Sequence, residues 1–252
     1  MNFGALIIGD EILSGKREDK HLKALIAALK ARGLQLAWCE YLGDDRALIT
    51  NVLERTFRAE IPVFSFGGIG ATPDDHTRAC AARAAGVPLE LHADAEKEIR
   101  ARFGSEVTPQ RLAMGEFPRG SAIIPNPYNR IPGFSMKRHY FLPGFPQMSW
   151  PMMEWVLDTH YKALFDPARV AESSIIVRDA GESQLITLMN DTLLRFPELK
   201  VFSLPRLEPD RHIELGARGK PTEVAAALAM MRAGVTALGF PWTAGPAPRA
   251  VA

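Results

Sequence analysis

The sequence predicts a doubly wound α/β domain with a mostly parallel sheet, followed by a second, smaller α+β domain. Three observations predict it. Phe3 to Ile8 is a continuous apolar run, as in a parallel strand covered on both faces. From there to Ala85, strand-like and helix-like patterns alternate. Around Phe165 to Arg169 the pattern changes, and two further helices are interleaved with short strands.

The chain has 252 residues, a net charge of +1 and 47% hydrophobic residues, enough for one large domain or two smaller ones. A near-neutral balance argues against a dedicated nucleic-acid binder. Cys39 and Cys80 fit no metal or redox spacing, so a reducing cytoplasm is the simplest home. The apolar start is too short for a signal peptide and lacks a basic leader. No apolar run approaches the length of a membrane-spanning helix. A small molecule is the expected partner, not a nucleic acid or a membrane.

After the first strand, Gly9 to Gly15 reads as a loop carrying Asp10 and Glu11. A solvated acidic turn and a ligand-facing loop both fit these residues. Leu22, Leu25, Ile26 and Leu29 share a helical face that Gly33 ends. Leu34 to Tyr41 is a second strand, and Gly43-Asp44-Asp45 a second acidic loop. Ile49, Val52, Leu53 and Thr56 mark the next helix, and Ile61 to Phe66 a buried strand. Val87 to His92 is a short strand, Ala93 to Phe103 a solvated helix, and Thr108-Pro109 opens a helix of about two turns. Ala122 to Ile124 and Lys137 to Leu142 are strands. Pro143 and Pro146 stiffen the turn after the second, and Gly144 allows close backbone approach. Met148 to Tyr161 closes the first domain, residues 1–167. Residues 168–240 form the smaller domain, with strands at Ser173 to Val177, Lys200 to Leu204 and His212 to Leu215 and helices opening at Glu182 and Pro221. Residues 241–252 lack periodicity and read as a disordered tail.

The most informative stretch is Gly67-Gly68-Ile69-Gly70-Ala71-Thr72-Pro73-Asp74-Asp75-His76-Thr77, between a strand and an Ala-rich helix. Three glycines before a helix start let an anion approach unpaired backbone N–H groups. Thr72 as N-cap, Pro73 at the first helical position and Asp75 at the third also make a capping box. Capping explains neither the glycines nor Asp74. There is no Walker A loop, and a proline replaces the third glycine of a dinucleotide fingerprint. Asp10, Glu11, Asp44, Asp74 and Asp75 all follow strand ends and can converge. Carboxylates beside a phosphate imply a bridging divalent cation such as Mg²⁺, or contacts to sugar hydroxyls or ring N–H groups.

An ordered set of motifs resembles a known family. It comprises Gly9-Asp10-Glu11-Ile12-Leu13-x-Gly15, Leu42-Gly43-Asp44, the glycine segment, Pro132-Gly133, Leu142-Pro143-Gly144-x-Pro146 and Glu182-Ser183. These are similar to the N-terminal part of the competence/damage-inducible protein CinA, which contains a MoaB/Mog-type molybdopterin-binding domain. The resemblance covers nearly the whole chain. It implies a three-layer α/β/α domain followed by a small α+β domain. It also implies a phosphate-bearing pterin or nucleotide as ligand, molybdopterin among them, and a homo-oligomer, dimer or trimer. By position, Asp44 and Asp75 match the acidic catalytic pair of the Mog-type site. Gly67, Gly68, Gly70 and Thr72 match its phosphate loop, and Asp74, Thr77, Pro132, Gly133, Pro143 and Gly144 join the ligand set. Metal would be held by Asp44, Asp74 or Asp75, with Asp10 and Glu11 as further candidates.

The chain departs from the pattern at His21, where the family has Asn, at Ala71, and at Asn129-Arg130-Ile131, where it has Gly-Thr-Ala. Arg130 would bring a cation to a site crowded with Asp. The family's C-terminal deamidase is not within this sequence, which reads as a stand-alone form. Two functions fit: a metal-dependent hydrolase of a nucleoside diphosphate such as ADP-ribose, and a non-catalytic molybdopterin-binding or carrier protein.

Overall fold

A computed structural model describes residues 1–246. The chain divides into one unit of Met1–Phe165 and a second that begins at Asp166.

The first unit runs β1 (Asn2–Ile8), α1 (Asp10–Leu13), α2 (His21–Ala31), β2 (Gln35–Leu42), α3 (Arg46–Arg58), β3 (Val63–Phe66) and α4 (Thr77–Ala85). It continues through β4 (Leu89–Leu91), α5 (Ala93–Phe103), α6 (Pro109–Ala113), β5 (Glu116–Pro118) and β6 (Ala122–Ile124). It closes with β7 (Gly133–Met136), β8 (His139–Leu142) and α7 (Pro146–His160). The main sheet has the order β2-β1-β3-β8-β7-β6. Its first four strands are parallel, and β7 and β6 are antiparallel additions. β4 and β5 pair separately.

Strand pleating divides the apolar runs between two cores. Phe3, Ala5 and Ile7 of β1, with Phe64, Phe66, Tyr140 and Leu142, face Leu25 and Leu29 of α2 and Met152, Met153 and Val156 of α7. Leu6, Ile8, Val63 and Phe141 face Ile49, Val52 and Leu53 of α3 and Cys80 and Ala81 of α4. The result is the expected three-layer α/β/α arrangement. Each fully buried Leu, Ile or Phe contributes roughly 1.5–3 kcal/mol. The strand order reverses between β1 and β3, which places the loops after β1, β2, β3 and β8 at one carboxyl edge.

Several local expectations are corrected. Asp10 to Leu13 is a one-turn helix, not a loop. Ile26 is exposed, so the buried face of α2 is narrower than its periodicity suggests. The Thr108-Pro109 helix is five residues long, with the Thr108 hydroxyl accepting from Arg111 N. Gly133–Met136 is a strand, joined to β8 by a tight turn in which Lys137 and Arg138 have φ of 47° and 61°. Pro146 begins α7 and does not simply stiffen a turn.

The second unit contains β9 (Ala171–Val177), α8 (Glu182–Arg195), β10 (Lys200–Arg206), β11 (His212–Gly219), α9 (Pro221–Ala237) and β12 (Trp242–Ala244). Its antiparallel sheet has the order β10-β11-β9-β12. Ile175, Val177, Leu215 and Ala217 pack on Leu185, Leu188, Val224, Leu228 and Met231. The expected tail from 241 is therefore corrected in part: Trp242–Ala244 pairs with β9, a non-local partner that local periodicity does not reveal. Residues 247–252 of that expectation lie outside the described residues.

Candidate functional site

β3 ends at Phe66 and the chain turns through Gly67 and Gly68, whose φ values are 103° and 69°. A Cβ on Gly67 would lie 2.1 Å from the Ile8 carbonyl oxygen, so glycine is required where this loop crosses the end of β1. Three carbonyls of the loop are then held toward α4. The Thr77 hydroxyl donates to Gly67 O at 3.1 Å, Thr77 N to Gly68 O at 3.0 Å, and Arg78 Nη2 to Gly70 O at 2.7 Å. In a planar trans peptide the N–H points opposite to the C=O. The amides of Gly68, Ile69 and Ala71 are therefore turned away from α4. Among the described residues, the amides of Gly68, Ile69, Gly70 and Ala71 donate to no protein acceptor. Consecutive free amides of this kind form an anion-binding concavity.

The helix itself begins later than its sequence suggests. α4 starts at Thr77, and its N-cap is His76. Thr72, Pro73 and Asp75 do not cap it. They form a separate turn in which Asp75 N donates to Thr72 O at 3.0 Å. The Asp75 carboxylate accepts from Thr72 N at 2.8 Å and from the Thr72 hydroxyl at 2.5 Å. This local bonding competes with helix formation and ends the turn before Thr77. The unpaired amides that face away from α4 are thus those of the loop, not those of the first turn of α4.

Acids from the loops after β1 and β2 line the same cavity as this loop. Asp10 N donates to Asp44 Oδ2 at 2.9 Å, and Asp44 N returns a bond to Asp10 Oδ1 at 3.1 Å. Burial raises the Asp44 carboxyl above its usual range, and the charges of Asp10, Glu11 and Asp74 raise it further; the Asp10 amide works against them. A cavity of about 390 Å³ is lined by Glu11, Asp44, Gly67 to Thr72, Asp74, Asp75, Pro143 and Gly144, with Arg17 and Phe145 at its side. Most residues expected at the site therefore share one cleft. Among the described residues, no group of three His, Cys, Asp or Glu side chains is close enough to hold a metal ion by itself. The hard oxygen donors of Asp44, Asp74 and Glu11 do suit Mg²⁺, which typically takes one or two carboxylates and completes its shell with phosphate and water.

Four expected ligand residues lie elsewhere. Thr77 is buried beneath the loop and holds it instead of lining the cavity. Gly133 begins β7, where a Cβ would meet the Phe141 carbonyl oxygen at 2.3 Å; its requirement for glycine is packing. Pro132 precedes it in a loop closed on itself by Asn126 Nδ2 donating to Ile131 O at 2.9 Å. Arg130, at φ 63°, pairs with Glu98 of α5 at 2.9 Å and does not reach the cleft.

A second cavity of about 320 Å³ adjoins the first and shares Ile8, Glu11, Arg17, Gly144 and Phe145 with it. His21 is buried at its base, its ring stacked on Phe66 at 4.6 Å. Its Nε2 donates to Gly144 O at 3.1 Å, so His21 fixes the Pro143-Gly144 turn from behind. Burial lowers its pKa, against the smaller opposing effects of the Gly144 carbonyl and Asp19. Arg17, Arg78 and Phe145 are the site residues that sequence reasoning does not single out. The unspecified position in Leu142-Pro143-Gly144-x-Pro146 is the only signal for any of them.

Residues 4–162 match the family described as "Probable molybdopterin binding domain". The chain belongs to this family. The matched span contains the glycine loop, the acidic wall and both cavities. The chain is also similar to curated CinA-like proteins. It is 38% identical to one from Anaeromyxobacter sp. (strain K) over 166 residues, 62% of this chain and 40% of that protein. It is 33% identical to one from Myxococcus xanthus over 242 residues, 91% of this chain and 57% of that protein. It thus spans about half the length of these relatives. Among solved structures it is similar to the protein CinA with unknown function from Thermoplasma acidophilum, with 27% identity and a TM-score of 0.58, covering 63% of this chain and 98% of that one.

Proposed function

We propose that the cleft of the first unit binds a phosphate-bearing pterin or nucleotide and, with a divalent cation, hydrolyses a nucleoside diphosphate such as ADP-ribose. One observation carries the binding reading: the amides of Gly68, Ile69 and Ala71 are turned from α4 by three carbonyl anchors, and the loop shares its cavity with Asp44. Membership of the molybdopterin-binding family supports the same ligand class.

In this reading the loop amides hold one phosphoryl group and fix its orientation. Asp44 lines the same cavity, its carboxylate aligned by the Asp10 amide. A divalent ion held by Asp44 and Asp74 would supply positive charge against the diphosphate and favour attack by water. Glu11 adds acceptor capacity on the same wall. The Thr72-bound carboxylate of Asp75 sets the far end of the loop, and its role is structural support of the cradle.

A specific observation favours the second reading, binding of molybdopterin without turnover. Asp75, half of the expected catalytic pair, takes both Thr72 bonds on its Oδ2, which ties that oxygen to the loop and leaves only Oδ1 to work with Asp44. The two readings separate in one experiment: a thermal-shift screen with ADP-ribose, nucleotides and pterins, with and without Mg²⁺, followed by product analysis of the ligands that bind. A ligand at about 100 times its Kd adds about 2.7 kcal/mol. Release of AMP and ribose 5-phosphate from ADP-ribose in a Mg²⁺-dependent manner supports the hydrolase; stabilisation by a pterin without any product supports the binding protein. No stabilisation by any phosphate-bearing compound overturns both.

A further inference from the structure

We propose that Phe145 is a stacking platform for a planar heteroaromatic ring, and that the second cavity is the ring-binding half of a two-part site. This inference rests on the phosphate reading of the glycine loop and extends it to what the phosphate is attached to.

Phe145 is 53% exposed although it is a large apolar side chain beside two cavities. Its backbone is held firmly. Pro146 follows it directly and Pro143 lies two residues before it, and its carbonyl oxygen accepts from the amides of Met148 and Ser149, both at 2.9 Å, and from the Ser149 hydroxyl at 3.0 Å. The adjacent Gly144 carbonyl is held by His21. An exposed ring on so fixed a turn loses little further freedom when a ligand ring is laid on it.

The surroundings suit a flat, polar-edged ring. The second cavity offers Ile7, Ile12 and Phe66 as apolar wall and Glu18, Gln147 and Lys20 as polar groups. Arg17 stands where the two cavities meet. Its guanidinium is 5.8 Å from the Phe145 ring centroid, and its bond to Glu11 is long, at 3.5 Å. A loosely held guanidinium beside an aromatic face can cover a stacked ring or take a second phosphoryl oxygen. The phosphate cradle lies in the adjoining cavity, so a ring and a phosphate joined by a sugar or a short chain would occupy both. A nucleotide and a pterin phosphate share this chemistry.

Dissociation constants measured by calorimetry decide the matter, with AMP and neopterin phosphate as ring-bearing probes and ribose 5-phosphate as the ring-less probe. They are compared for the parent, Phe145→Leu, Phe145→Trp and Gly70→Val. The expected result is that the parent binds a ring-bearing probe more tightly than ribose 5-phosphate. Phe145→Leu then weakens that probe about tenfold and ribose 5-phosphate less than about twofold, while Phe145→Trp restores the affinity. Equal loss for both kinds of probe, or no loss for either, overturns the ring platform; if Gly70→Val still abolishes binding, the phosphate reading stands without it. Failure of the parent to bind any of the three probes overturns both.

Discussion

Asp10 and Asp44 exchange hydrogen bonds between backbone amide and carboxylate, at 2.9 and 3.1 Å, and so clasp the loops after β1 and β2. The clasp confines two carboxylates near Glu11 and Asp74, and the Asp44 carboxyl is raised from its ordinary 3.8 by burial and by those charges. Ionisation of a group with a raised folded pKa costs the fold stability. The cost is absent below the ordinary carboxyl range and grows as pH rises through the folded pKa. Asp44→Asn keeps an acceptor for Asp10 N and removes the charge. It should match or exceed the parent in thermal stability at pH 7, lose that advantage below about pH 4, and lose Mg²⁺-dependent ligand stabilisation. Melting curves across pH check this; a variant clearly less stable at pH 7 would contradict the electrostatic account.

Arg78 tests the anchoring of the loop. Its guanidinium is buried and donates to the carbonyls of Gly70, Glu116 and Ala113, the last at short range. Arg78→Met leaves these acceptors without a donor and should cost about 2–3 kcal/mol. Because Gly70 O is then free to rotate, phosphate-bearing ligands should lose more affinity than the same stability loss elsewhere produces. Urea unfolding and ligand titration on one preparation compare the two.

Glycines of the same loop should behave differently. A Cβ on Gly67 meets backbone, the Ile8 carbonyl oxygen at 2.1 Å, whereas a Cβ on Gly70 meets the Asp75 carboxylate at 2.6 Å, the end of a side chain that can move. Gly67→Ala is expected to be strongly destabilising, by several kcal/mol on the order of other large core disruptions. Gly70→Ala should be tolerated. Expression yield and melting temperature of the pair provide the check.

His139 predicts a pH dependence of the fold. It is buried between Thr56 and Phe57, Nε2 lies 2.8 Å from Thr56 Oγ1, and Nδ1 lies 3.0 Å from Lys137 O. The neutral ring satisfies both contacts with Nδ1 as donor and Nε2 as acceptor. Burial pushes its pKa down from 6.5 to about 4, against a smaller opposing effect of the Lys137 carbonyl. A depressed folded pKa gives stability that is present above 6.5 and lost as pH falls through about 4. His139→Asn should be less stable than the parent at pH 7, and the gap should narrow steadily toward pH 4. A constant gap would show that His139 does not titrate this way.

Arg130 should be silent. Its pair with Glu98 is half-exposed and contributes at most about 1 kcal/mol. Arg130→Asn, which keeps a residue tolerant of φ 63°, should leave affinities unchanged across ligands of increasing charge. A charge-dependent loss would bring the loop back into the site.

The outline of the first unit was legible because each parallel strand is an apolar run and each covering helix carries a clear apolar face. Features that depend on distant partners were not. The Lys137-Arg138 turn uses positive φ at two cations, nothing like the usual Asn-Gly hairpin signal. Trp242–Ala244 becomes a strand only because β9 offers it an edge. In the candidate site, the convergence of the three glycines with Asp44, Asp74, Asp75 and Glu11 on one cavity was readable, because all of them follow strand ends. The start of α4 was misplaced because Thr72, Pro73 and Asp75 satisfy capping rules while bonding to one another. Arg78 looks like any helical arginine until its carbonyl partners are known, and Phe145 occupies a position the motif leaves unspecified.

The cradle of loop amides is tested most directly by calorimetric titration of ADP-ribose into the parent and Gly70→Val, with and without Mg²⁺. The account predicts saturable binding to the parent, tighter with Mg²⁺, and none to Gly70→Val, which melts within a few degrees of the parent. Equal affinity for both proteins would contradict it.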